Sequence, residues 1–148
     1  MRHGKWTLVL FAALGLLARP AAAQPPTTCT VVYVLDGDTI NCEGGVTVRV
    51  LLVDVPDRGK FGELARAYVV GLAPKGSEVR LEFDENPRDS EGRWLAYVYL
   101  PDGTMLNQRL VENGFAYVEF SARNQARLQE LRKAELAART ERLGLWSQ

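Results

Sequence analysis

Asp38 stands where turn chemistry does not need it. It follows Asp36-Gly37 inside "VLDGDTINC", residues 34–42, with strand-forming residues on both sides. Asp-Gly between such runs is a hairpin signal, which accounts for Asp36. Asp38 falls where the return strand should already have begun, so it needs another explanation. Two further acids, Asp54 and Asp57, flank Pro56 in "LLVDVPD", where the proline ends a strand. Arg49 lies on the opposite strand face from Val48 and Val50, and Arg93 opens an alternating run after Gly92. Carboxylates at strand ends suit Ca²⁺, whose roughly 6–8 oxygen positions are otherwise filled by carbonyls, water and substrate. Two arginines nearby can grip a phosphate through paired N–H donors and hold a phosphorane-like transition state better still. A third carboxylate can orient or deprotonate water. Assembled in one place, these groups make a kit for phosphodiester hydrolysis. Taken singly, each has an ordinary structural role in a turn, a loop or a cross-strand ion pair.

Composition removes the competing chemistries. Residues 1–23 run from a basic start, "MRHGK", through the apolar "WTLVLFAALGLLA" to a small-residue site, "AAA". This is the pattern of a secretory signal cut after Ala23, with an apolar stretch too short to anchor in a bilayer. The expectation is an exported protein, periplasmic or secreted, with no stable membrane association once the signal is gone. The only histidine, His3, lies in that segment. Without it there is no Ser-His-Asp triad, no Cys-His pair and no imidazole ligand. Any metal site is built from oxygen, which favours Ca²⁺ or Mg²⁺. Removing the signal also removes Arg2, Lys5 and Arg19, taking the charge from 18 minus 18 to 15 minus 18, or −3. A slightly acidic chain has no global field to attract nucleic acid, so phosphate binding rests on a few placed arginines. Cys29 and Cys42 lie on the two arms of the predicted hairpin. Register alone makes them diagonal neighbours, joined if a bulge intervenes and too far apart if none does.

The elements that must position these residues are short. After a lead-in at 24–29, "CTVVYVL" and "DTINC" read as hairpin arms, and "VTVRVLLV" (46–53) as one third strand. "GELARAYVVGL" aligns Leu64, Tyr68 and Leu72 on a helical stripe. "SEVRLEF" and "RWLAYVYL" alternate as strands four and five. Thr104 is placed to cap a second helix stopped by Gly114, and a third is predicted over 123–142 with an i,i+4 pair, Glu135–Arg139. Five strands with a helix after the third suggest a small, mainly β domain with helices. An OB-type barrel and an α+β sandwich both satisfy the pattern.

The stretches "VLDGDTI", "VRVLLVDVPD", "FGELARAYV", "DSEGRWLAYVYL", "LNQRLVENGFAYV" and "LRKAELAARTERLGLW" resemble, in order, the staphylococcal nuclease (thermonuclease) family. The resemblance runs from about Thr30 to Ser147, nearly the whole chain after the signal, so 30–148 is taken as one thermonuclease-like domain. It implies a five-stranded OB-fold barrel with about three α-helices, and a monomeric Ca²⁺-dependent nuclease acting on DNA and/or RNA to leave 3′-phosphate ends. Carried over residue by residue, Asp38 and Asp54 match the metal-binding aspartates, and Val55 the position giving a backbone carbonyl to the metal. Arg49 and Arg93 match the phosphate-binding arginines. Asp36 shapes the turn and supports the site from behind.

Four positions depart from the family pattern. Asp57 stands where the general base is usually glutamate, which withdraws the carboxylate by about 1.5 Å. Glu63, at the start of helix one, is the alternative base. Val55 replaces threonine, which a main-chain ligand tolerates. Ser90 and Glu91 replace a lysine and a tyrosine that lie near the nucleotide in the best-known enzyme. The alternative function is an OB-fold nucleic-acid or protein-binding module with weak or no catalysis.

Overall fold

The computed structural model describes residues 24–147; the predicted signal segment lies outside them. Among the described residues no helix is long and apolar enough to cross a membrane. Five strands close a barrel in the order β1 (Thr28–Asp36), β2 (Thr39–Cys42), β3 (Val46–Val50), β6 (Trp94–Tyr99), β5 (Glu78–Glu82). Neighbours are antiparallel except β3 and β6, which run parallel. Closure leaves the barrel no free edge. A two-stranded ribbon of β4 (Val53–Asp54) and β7 (Tyr117–Val118) stands beside it, with helices α1 (Gly59–Leu72), α2 (Leu106–Glu112) and α3 (Leu128–Thr140). This is the expected mainly β, OB-type architecture.

The alternating strands bury one face into the barrel. Val31, Val34, Ile40, Val48, Val50, Val79, Leu81, Ala96 and Val98 are buried in one apolar cluster. Partners such as Ile40 and Val48, or Leu81 and Val98, meet across adjacent strands. At roughly 1.5–3 kcal/mol per buried aliphatic side chain, this face specifies the register.

Four local expectations are corrected. The single strand predicted over 46–53 is broken at Leu51–Leu52, where Leu52 takes φ 61° and the chain turns away from β6. The buried amide of Asn107 covers the break. Its Nδ2 donates to the Leu51 carbonyl at 2.7 Å, and its Oδ1 accepts the Val98 N–H at 2.9 Å. The stripe expected on α1 is displaced, since Leu64 is exposed while Gly62, Ala65 and Val69 face inward. Small residues let that helix approach closely: a Cβ on Gly62 would lie 2.3 Å from the Pro56 carbonyl oxygen. Thr104 does not cap α2, because its hydroxyl donates to Asp102 at 2.7 Å and the helix starts after Met105. The third helix is shorter than expected, beginning at Leu128. Gly114 does end α2 in the left-handed region, with φ 72°. The Glu135–Arg139 pair forms at 3.1 Å, and Glu135 also accepts the Val118 N–H, tying α3 to β7.

The cysteine question resolves as a disulfide, with Cys29 and Cys42 Cα atoms 5.4 Å apart. The hairpin is bulged between Val31 and Tyr33 and again between Val34 and Asp36. The bond closes a loop of sequence separation 13 that contains Asp36 and Asp38. A closure of that size stabilises by ~3 kcal/mol through the unfolded chain. Cys29→Ser/Cys42→Ser is therefore expected to lower unfolding stability by ~2–4 kcal/mol, read by urea titration. A double variant as stable as the parent would remove this role.

Candidate active site

The turn between β1 and β2 carries Asp38 into the fold. Gly37 is not in the left-handed region, so the turn does not require glycine for its φ. Space requires it: a Cβ there would sit 2.6 Å from Val55 Cγ1 and 2.9 Å from Ala65 Cβ. The turn thus lies flat against the Val55 segment and α1. Asp36 Oδ1 accepts the Asp38 N–H at 3.1 Å, and the Asp38 carbonyl accepts the Val50 N–H at 2.8 Å. Its side chain is buried, with Oδ2 accepting the Val55 N–H at 3.0 Å and Oδ1 accepting the Thr39 hydroxyl at 3.2 Å.

Arg49 faces it, because Thr39 pairs with Arg49 across β2 and β3. The break at Leu51–Leu52 folds Val53 back over the same arginine. Its Nη1 donates to the Val50 and Val53 carbonyls at 2.8 and 2.7 Å, which fixes the guanidinium plane. Its Nη2 meets Asp38 at 3.3 Å, Asp54 at 3.8 Å and Glu119 at 3.8 Å. Arg93 lines the same cleft, of about 280 Å³, with Arg49, Asp89, Glu119 and Phe120. Asp89 holds it twice, accepting Nε at 2.7 Å and the Arg93 N–H at 2.9 Å.

Burial pushes the Asp38 carboxyl up to about 7; Arg49 and the Val55 N–H oppose that, and Asp36 adds to it. A buried carboxylate so incompletely compensated is a place for a cation. Asp89 goes the other way. Burial works to raise it, but the hydrogen bonds and charge of Arg93 outweigh burial and hold it below the usual range.

The structure therefore brings Asp38, Arg49 and Asp54 together and sets Arg93 in the same cleft. Val55 donates its N–H to Asp38 and packs its side chain on Gly37. Asp57 and Glu63 are exposed, and neither enters the ion pairs around Arg49. Four participants escaped the sequence reading. Thr39 and Asp89 are polar neighbours of site residues, and their positions in the strand and loop carry no separate signal. Glu119 is distant in sequence and meets Arg49 only through the β4–β7 ribbon. Asn124, 1% exposed, exchanges hydrogen bonds of 2.7 and 2.8 Å with the Asn86 backbone and so joins the Arg93 loop to the segment carrying Phe120.

No three acidic, histidine or cysteine side chains among the described residues form a metal cage by themselves. The donor chemistry still fits an oxygen-preferring cation, with one buried and one exposed carboxylate beside a main-chain segment.

The family profile described as "Staphylococcal nuclease homologue" matches residues 47–148. The chain is 35% identical over 129 residues to the SPbeta prophage-derived endonuclease YokF of Bacillus subtilis (strain 168), covering 80% of this chain and 43% of that protein. It is 34% identical over 129 residues to endonuclease YncB of the same organism, covering 80% of this chain and 61% of the relative. It thus spans less than two thirds of the length of either protein. A thermonuclease of Staphylococcus intermedius is 32% identical over 126 residues, which cover 78% of this chain and 74% of that enzyme. By the profile match and by the barrel that carries it, the chain belongs to the staphylococcal nuclease homologue family.

Proposed function

We propose that this protein is an exported, monomeric, Ca²⁺-dependent nuclease that hydrolyses phosphodiester bonds of DNA and/or RNA and leaves 3′-phosphate ends. The observation that carries the reading is that Arg49 Nη2 lies 3.3 Å from Asp38 and 3.8 Å from Asp54, while Arg49 and Arg93 line one cleft. The relatives' names, endonuclease and thermonuclease, support the reaction class. Export is supported by the basic, apolar and small-residue order of residues 1–23.

In this reading Asp38 and Asp54 hold the cation, with the Val55 carbonyl as a main-chain ligand. Bound Ca²⁺ supplies positive charge that stabilises the developing phosphorane. Arg49 and Arg93 bind the scissile phosphate and hold the charge that builds on its equatorial oxygens. Asp57 orients the attacking water and takes its proton as the new P–O bond forms. The P–O5′ bond then breaks, and the 5′-oxygen leaves as a hydroxyl after protonation by solvent. Glu63 is the competing base.

The direct test uses purified protein freed of residues 1–23, with plasmid and RNA substrates, in Ca²⁺ and in excess chelator. Cleavage is expected only with Ca²⁺, and undiminished cleavage in chelator would overturn the proposal. Binding without cleavage under both conditions would establish a binding module instead. The base is tested in the same assay. Asp57→Ala is expected to lose ~10²-fold or more in kcat, against less than ~3-fold for Glu63→Ala, while Asp57→Glu retains activity. The reverse ranking would transfer the role to Glu63.

A further inference from the structure

Each cleft arginine has two kinds of acidic partner. On the inner side the partners are shielded. Asp38 lies 3.3 Å from Arg49 with its side chain 8% exposed, and Asp89 lies 2.7 Å from Arg93 at 18%. On the outer side each arginine meets a glutamate at longer range. Glu119 is 3.8 Å from Arg49 Nη2 and 57% exposed; Glu91 is 3.6 Å from Arg93 Nε and 69% exposed. The glutamates come from different elements, one following β7 and the other in the loop between β5 and β6. Their main chains are fixed, with the Glu119 N–H donating to the Leu52 carbonyl at 2.9 Å and the Glu91 N–H to Asp89 Oδ1 at 3.0 Å. Their carboxylates are the parts free to swing.

Building on the nuclease reading, we propose that Glu91 and Glu119 set the affinity of the site for phosphate, because their carboxylates stand beside Arg93 and Arg49 where substrate phosphate binds. Arg49 Nη1 is already committed to two carbonyls, so Nη2 is a donor an arriving phosphate needs. Asp38 cannot vacate it, being held by Val55 and Thr39. Glu119 can, by rotating into solvent; Glu91 holds no donor of Arg93, whose Nε–H goes to Asp89, and acts there through its charge. An arriving phosphate ester therefore meets a negative charge beside each arginine and is opposed by both until the glutamates swing aside. The device weakens binding of small phosphate-bearing products and leaves the catalytic step alone, since the glutamates have moved aside once the phosphate is seated. Exposed ion pairs are weak, so each residue lowers phosphate affinity by about 1.5- to 5-fold.

The test compares the unaltered protein with Glu91→Gln, Glu119→Gln and the double variant, all at exposed positions that tolerate glutamine. Glu78→Gln, an exposed position that does not line the cleft, controls for net charge. Calorimetry with a nucleoside 3′-monophosphate in Ca²⁺ is expected to show the double variant binding about tenfold tighter, with KM for single-stranded DNA falling in parallel. The kcat is expected to stay within about twofold, and Glu78→Gln to do the same in affinity. Unchanged nucleotide affinity, or equal tightening by Glu78→Gln, would overturn the proposal. So would weakened Ca²⁺ affinity with lost kcat in Glu119→Gln, which would make that residue a metal ligand. The binding arm needs no turnover: a parent that binds nucleotide without cleaving defeats the nuclease reading alone, and one that cleaves with no gain in the variants defeats this inference alone.

Discussion

Asp38→Asn is expected to lose turnover by at least ~10³-fold while making the metal-free protein more stable at pH 8. The two effects share one cause. The carboxylate is buried against Val55 and Thr39, and burial pushes it from 3.8 up to about 7 despite Arg49 nearby. Between those values the folded chain binds more protons than the unfolded chain. Stability associated with the protonated group is therefore fully present below about pH 4 and is lost as pH rises through about 7. Asparagine never ionises, so it avoids that loss while nearly preserving shape. The gain expected at pH 8 is ~2–4 kcal/mol, shrinking toward zero near pH 4. Urea titrations in chelator at both pH values measure it, alongside the nuclease assay. A variant less stable than the parent at pH 8 would show that the ionised carboxylate is well compensated without metal.

Arg49→Lys is expected to lower kcat by ~10²–10³-fold, with a smaller effect on KM. Arginine at this position does two jobs through one rigid plane. Nη1 is anchored by the Val50 and Val53 carbonyls, and this orients Nη2 into the cleft beside Asp38 and Asp54. A lysine ammonium keeps the charge but cannot bond both carbonyls and still present an in-plane donor to phosphate. Arg93→Lys is expected to act in the same direction, because Asp89 orients Arg93 through Nε, which lysine lacks. Steady-state kinetics on single-stranded DNA decide the matter. A lysine variant within ~3-fold of the parent at both positions would mean that charge alone suffices.

Much of the fold was legible because strand alternation reports burial directly. The runs around Val31, Val48, Leu81 and Val98 alternate and form the barrel. Where neighbouring segments override local pattern, reading along the chain failed. Leu52 is an apolar residue in an apolar run, and nothing local reveals that it takes a positive φ. The turn there depends on Asn107, 56 residues away, to satisfy the Leu51 carbonyl. The α1 stripe was misplaced for a related reason. Periodicity favours large residues, whereas this helix is set by how closely Gly62 and Ala65 approach the Pro56 carbonyl and Gly37.

The candidate site divides along the same line. Sequence alone determined which chemistry is open, since no histidine remains after residue 3 and the acids and arginines fall at strand ends and turns. It also marked Asp38 as a residue the turn did not need, because backbone chemistry accounts only for Asp36. Tertiary structure alone decided that Asp38, Asp54 and Glu119 share one guanidinium nitrogen and that Cys29 reaches Cys42. Those facts depend on distances between segments up to 81 residues apart in the chain, Asp38 to Glu119. Local propensity extends over a few residues, whereas charges interact through space, and the pairing of β2 with β3 and of β4 with β7 sets that separation.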